Sequence, residues 1–153
     1  MNKVTNRNNL KKICSRLKAE NKRIVFTNGC FDILHKGHVR YLNHAKKLGD
    51  VLIVGLNSDK SVSGIKPGRP INSEKDRSEV LAALCDVDYI VIFHEKTPFT
   101  LIKSLRPDVL VKGGDWEKAD IIGSDIAEKT YSLPYIKGVS TTKIIEKIIR
   151  VSK

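Results

Sequence analysis

Aromatic side chains make up only 6% of the 153 residues, too few for the stacking platforms on which single-stranded nucleic acid is held. The three cysteines, Cys14, Cys30 and Cys85, are an odd set without paired spacing, which argues against a secreted disulfide scaffold. No apolar run reaches the ~18 residues of a membrane span. Residues 1–12 are polar and basic, without the apolar centre of a secretory signal. The dinucleotide fingerprint, the Walker A loop and the Ser-centred nucleophile elbow are all missing. Acidic residues are the minority, 17 against 28 Lys and Arg, for a net charge of +11. That excess calls for an anionic partner: nucleotide, nucleic acid, sugar phosphate or anionic membrane. The remainder, 41% hydrophobic and 29% charged, is a globular composition, and the length suits one domain over residues 1–153. The chain reads as a soluble, cytoplasmic single domain.

Two hydrophobic periods alternate along it. Leu10, Ile13, Cys14 and Leu17 form a helical stripe over residues 9–20. A short β-rich run follows at 23–27, then a loop at 28–36. A second helix carries Val39, Leu42, Ala45 and Leu48 and stops at Gly49. Residues 51–56 read as a strand buried on both faces. Gly64, Pro67, Gly68 and Pro70 punctuate 57–70, which reads as an irregular, mobile loop. Ser73 and Asp76 resemble a capping box for a helix continued by Val80, Leu81 and Leu84. Strands are expected at 89–93, 109–112 and 133–136, and helices at 97–104, 124–131 and 140–151. Such alternation predicts an α/β fold: a doubly wound, Rossmann-like parallel sheet of about five strands with helices on both faces.

Ligands of such sheets bind beyond the carboxyl ends of the strands, so the segments there matter most. His35-Lys36-Gly37-His38 places two imidazoles and a glycine at a helix start, where backbone N–H groups and the dipole attract an anion. Imidazole titrates near neutrality and can follow charge developing during a reaction; a solvated basic turn is the plainer reading. Cys30, His35 and His38 could alternatively ligate zinc, but structural zinc needs four ligands and no Cys-x-x-Cys pair exists. Gly138-Val139-Ser140-Thr141-Thr142 offers three hydroxyls where an N-cap needs one. Asn28-Gly29 is a hairpin signal that leads here into a helix, and Lys112-Gly113-Gly114-Asp115 could be only a tight turn.

Taken in order, residues 26–38 and 138–143 resemble a nucleotidyltransferase family, cytidylyltransferase-like, marked by a His-x-Gly-His loop and a Ser-Thr-Thr helix start. The likeness runs over about residues 23–149. Within the family it is strongest to the adenylyltransferase domains of ADP-heptose synthesis, often fused behind a sugar kinase; residues 56–59, 68–72, 76–77 and 107–115 share it.

The resemblance implies attack of a sugar 1-phosphate oxygen, that of D-glycero-manno-heptose 1-phosphate, on the α-phosphorus of ATP, with release of pyrophosphate. The product, ADP-heptose, belongs to lipopolysaccharide synthesis. It implies His35 and His38 as the histidines that hold the phosphates, and Asn28, Gly29, Cys30 and Phe31 as the loop lining the nucleotide. By the same likeness Asp32 would lie beside the reacting phosphates, Gly113 and Asp115 at the base and ribose, and Ser140, Thr141 and Thr142 at the triphosphate. Lys66, Arg69 and Arg77 are candidates to grip phosphate, with Lys60 the alternative to Lys66. No protein metal site is implied; Mg²⁺ would be held mainly by the phosphates. Partners implied are ATP, the sugar 1-phosphate, a second copy of the chain and a separate heptose kinase, with no nucleic acid and no membrane. Related glycerol-3-phosphate cytidylyltransferases carry arginine where this chain has Tyr135, which favours adenylyl over cytidylyl transfer. Transfer of AMP or CMP to glycerol 3-phosphate or FMN is the second enzymatic reading, and a basic module for nucleic acid is the non-enzymatic one.

Overall fold

The computed structural model describes residues 3–152. Met1, Asn2 and Lys153, the ends of the domain expected over 1–153, lie outside the described residues. Five strands form one sheet in the order β3-β2-β1-β4-β5: β1 (Ile24–Gly29), β2 (Val51–Asn57), β3 (Tyr89–Phe93), β4 (Val109–Gly113) and β5 (Lys129–Leu133). Every pairing is parallel. Phe26, Ile53 and Leu110 pack toward α1 (Arg7–Ala19) and α5 (Phe99–Leu105). Val25, Val54 and Val111 share the opposite core with residues of α2 (Lys36–Lys46) and α4 (Glu74–Ala82). Alternate residues of each strand thus fill two separate cores, which is why the strands read as continuous apolar runs. The doubly wound sheet expected from the sequence is what forms.

Three aspartates finish the amino-terminal edge of the sheet, where strand amides lack ladder partners. Asp50 accepts from the Arg23 N–H, Asp88 from Leu52 and Asp108 from Ile24, each at 2.7 Å. Each stands just ahead of a strand in sequence.

Three expectations need correction. The stretch 57–70 is not wholly irregular, because α3 (Asp59–Ile65) occupies half of it. Ser58 caps that helix by accepting from the Ser61 N–H, and Val62 is fully buried. Residues 124–131 do not form a helix. Gly123 has φ +89 and packs on Ile102, and only a few turn residues separate it from Lys129, too few for a stable helix nucleus. The strand expected at 133–136 lies earlier, as β5, where the Lys129 N–H reaches the Asp108 carbonyl at 3.0 Å. Half of the expected capping box forms: the Asp76 N–H donates to Ser73 Oγ, while the Asp76 carboxylate accepts from the Ser73 hydroxyl at 2.6 Å and not from its backbone N–H; the helix ends at Ala82, short of Leu84. The final helix, α6 (Thr141–Val151), has no buried residue, and Ile148, Ile149 and Val151 are more than half exposed.

Candidate active site

The chain runs outward from β1 to β2 and β3, then returns to β4 on the other flank of β1. The sheet therefore has its switch point between β1 and β4, and a crevice opens above their carboxyl ends. Asn28 and Gly29 end β1 there, and Lys112 and Gly113 end β4. Asn28-Gly29 is therefore strand, not hairpin. Past it, Phe31 takes a left-handed φ of +44 and folds its ring back over Gly29, where a Cβ would meet Phe31 at 2.9 Å.

That reversal delivers His35 to the N-cap of α2, with Nδ1 accepting from the Gly37 N–H at 3.1 Å. A Cβ on Gly37 would meet the His35 ring at 2.9 Å, so only glycine leaves room for it. The Nδ1 acceptor role puts the neutral ring's proton on Nε2, a donor for a ligand. His35 stacks on His38 with centroids 3.8 Å apart, and Phe31 meets His38 edge-on at 5.3 Å. His38 Nδ1 is buried without a hydrogen-bond partner. Burial first, then His35 and Lys66, press the His38 pKa down to about 4, and burial lowers that of His35 as well. Both imidazoles are therefore neutral at pH 7. Stacked, partly desolvated rings beside a lysine resist a proton.

Asp32 is buried and fully engaged. It accepts from Arg69 Nη1 at 2.9 Å, from the Ile71 N–H at 2.8 Å and from the Asn72 N–H at 2.9 Å. Burial alone raises its pKa; the Asn72 and Ile71 amides and the Arg69 guanidinium outweigh that and hold it below the ordinary value. Arg77 is 2% exposed and donates to the carbonyls of Asn72 and Cys30 and to Asp59 Oδ1 at 3.0, 2.5 and 2.8 Å. The expectation that Arg77 grips phosphate is thereby corrected: its guanidinium is an internal strut under the Cys30 turn. Asp32 and Arg69 likewise tie the 69–72 loop to the loop that carries the histidines. Of the two candidate lysines, Lys66 is the one whose charge acts on His38 and on Lys112.

The far wall comes from the end of the chain. Ser140 caps α6 by accepting from the Lys143 N–H at 3.2 Å, and Thr141 Oγ1 donates to the Ile33 carbonyl at 3.4 Å. Val139 lies against Gly37, 3.8 Å from where a Cβ would stand. The two distant motifs thus meet, with one hydroxyl spent on the cap, one on the histidine loop, and Thr142 exposed. At the other end of the crevice the Tyr135 ring lies over Gly113 and Gly114, and Trp116 Nε1 donates to the Gly113 carbonyl at 3.1 Å. Gly114 has φ +117, which only glycine adopts readily. Asp115 is exposed on this rim and close enough to Tyr135 to act on it electrostatically.

Sequence reasoning missed Tyr41, whose hydroxyl bonds Thr27 at 2.5 Å and the Val111 carbonyl at 3.2 Å, fastening α2 across β1 and β4. It also left Lys112 without a role, although a charge at the end of an apolar strand was a visible signal. Among the described residues no three His, Cys, Asp or Glu side chains converge as a metal site.

The family model for cytidylyltransferase-like proteins matches residues 26–147. The chain is 59% identical over 128 residues to bifunctional protein HldE of a Nitratiruptor species, covering 83% of this chain and 28% of that one. It is 50% identical over 147 residues to HldE of Wolinella succinogenes, covering 95% of this chain and 31% of that one. The chain thus spans less than a third of the length of these curated relatives. Among solved structures it is similar to a lipopolysaccharide core biosynthesis protein from Thermoplasma volcanium, with TM-score 0.65 and 30% identity, covering 76% of this chain and 99% of that one. It shares its fold with pantoate-beta-alanine ligase from Francisella tularensis, with TM-score 0.62 and 18% identity over 96% of this chain and 77% of that one.

Proposed function

The chain belongs to the cytidylyltransferase-like family, and from that premise we propose that it transfers AMP from ATP to D-glycero-manno-heptose 1-phosphate. A phosphate oxygen of the sugar attacks the α-phosphorus of ATP, the bond from that phosphorus to the α,β-bridging oxygen breaks, and pyrophosphate leaves with the bond's electron pair. ADP-heptose is the product. The observation that carries the reading is the meeting of the His35–His38 loop with the Ser140–Thr142 segment, through Thr141 and Ile33 and through Val139 and Gly37. One crevice then serves both ends of a polyphosphate.

No protein nucleophile is needed, because the sugar phosphate is itself the nucleophile. The protein supplies position and charge. The neutral His35 offers its Nε2 proton to a phosphate oxygen, His38 backs it, and Lys66 brings the positive charge. Asn28, Gly29, Cys30 and Phe31 form the floor, while Gly113, Asp115 and Tyr135 take the nucleoside end. The carboxylate of Asp32 is held by internal donors, so a divalent cation, Mg²⁺ in this reading, would be held mainly by the nucleotide's phosphates and would offset the repulsion between the two anions.

The relatives are bifunctional and about three times longer, so a separate kinase domain or protein supplies the sugar 1-phosphate in this reading. Residues 1–153 act as one catalytic domain, as a homodimer in the cytoplasm. No helix of the described residues is long and apolar enough to cross a membrane. Pyrophosphate release tests the reading, with ATP or CTP against heptose 1-phosphate, glycerol 3-phosphate and FMN. Turnover with ATP and heptose 1-phosphate alone is expected; turnover only with another pair would replace the substrates, and none with any pair would remove the enzymatic reading.

A further inference from the structure

The geometry points to Lys112 as the residue that receives the phosphate monoester of the acceptor substrate, on the opposite side of the sheet edge from the Gly113–Tyr135 nucleoside rim. This inference rests on the nucleotidyl-transfer reading and adds to it where the second substrate lies.

Lys112 ends β4 next to β1, at the switch point of the sheet. Side chains alternate along a strand: Val109 and Val111 belong to the core beneath α2, Leu110 to the core beneath α1 and α5. Gly113 follows the first set, and the space above it is bounded by Tyr41 and Tyr135. Lys112 follows Leu110 and leaves the sheet on the other side, the side on which Asn28 packs at Gly55. The nucleoside rim and Lys112 therefore flank the crevice from opposite sides.

The Lys112 side chain is half-buried, and among the described residues its ammonium has no hydrogen bond and no ion pair. Its electrostatic neighbours are Cys30 and a second cation, Lys66, which also acts on His38. Burial, with Lys66 in support, lowers its pKa, and Cys30 opposes the shift. The acid of the adjoining loop, Asp32, is already held by Arg69 and two backbone amides. A half-buried cation under the influence of a second cation, with no ion pair among the described residues, suits an anionic ligand. A phosphate dianion shared by Lys112 and Lys66, whose charge also acts on His38, satisfies both cations.

Two readouts test this. Lys112→Met keeps the aliphatic stem and removes the charge; the KM for heptose 1-phosphate is expected to rise at least about tenfold while that for ATP stays within about twofold. Lys112→Arg should recover part of the loss. Equal rises in both KM values, or no change in either, would overturn the assignment. Independently of activity, acetic anhydride labelling read by peptide mass spectrometry follows Lys112 in the wild-type protein. Heptose 1-phosphate, or inorganic phosphate at higher concentration, is expected to protect it, and a nonhydrolysable ATP analogue alone is not. Protection by the analogue alone, or by neither phosphate, overturns the proposal. If the wild type makes no ADP-heptose, the substrate reading fails by itself, and labelling with inorganic phosphate alone still decides Lys112.

Discussion

The His35 imidazole lies nearly flat on that of His38, centroids 3.8 Å apart and planes 19° from parallel. Protonating one ring would place a cation against the other and beside Lys66, so the pair stays neutral until an anion arrives. The two rings then act as hydrogen-bond donors held in place by Gly37 and Phe31, with little reorganisation left to make during reaction.

Replacing either histidine with alanine should therefore lower kcat by about 2–4 kcal/mol, roughly 30- to 1000-fold, with a smaller effect on the KM for ATP. Because the rings touch, the double variant should lose less than the sum of the two single losses. Single-turnover kinetics measure this; near-wild-type turnover in either single variant would make that histidine structural.

Stability should fall in acid through the same pair. The His38 pKa is about 4 in the folded chain and about 6.5 unfolded. The unfolded state thus binds more protons between these values, and stability is complete above pH 6.5 and lost as pH falls toward 4. The contribution is at most about 3 kcal/mol. Urea titrations at pH 7, 5.5 and 4.5 check it, with His38→Gln expected to flatten the dependence and an unchanged slope counting against the buried neutral ring.

Arg77 offers a different kind of test, since its three partners are internal. Arg77→Met should unfold the chain more easily, by about 3 kcal/mol, because a buried guanidinium is lost together with its part-buried bonds to the Asn72 and Cys30 carbonyls and to the half-exposed Asp59. A urea midpoint unchanged from wild type, with phosphate binding weakened, would return the residue to the ligand-binding set.

The first four strands were legible because each is a short apolar run flanked by an aspartate or a glycine, and buried strands need nothing subtler. What escaped was local. Ser58 and Val62 suffice for α3 within a stretch that Gly64, Pro67 and Gly68 mark as loop. At residues 124–133, β5 is set by pairing with β4, a contact between segments about twenty residues apart that no local pattern displays. Within the site the motifs showed which residues gather, whereas charge state and direction came only with burial. Arg77 reads as a phosphate-gripping cation until the Cys30 turn closes over it. His38 reads as titrating near neutrality until Phe31 and His35 enclose it.

Choice of nucleotide should depend on the rim at the other end of the crevice. The Tyr135 ring covers Gly113 and Gly114, and Asp115 stands beside it. An aromatic face favours the larger purine, and a carboxylate can accept from ribose hydroxyls. Asp115→Ala should raise the KM for ATP by about tenfold with kcat nearly kept. Tyr135→Arg removes the ring and supplies donors for a pyrimidine carbonyl, so the kcat/KM ratio of ATP to CTP should fall by about tenfold. Both effects are read from initial rates of pyrophosphate release with each nucleotide in turn. If the ratio holds in Tyr135→Arg, the base lies elsewhere, and the glycines beneath the ring serve only the turn that follows β4.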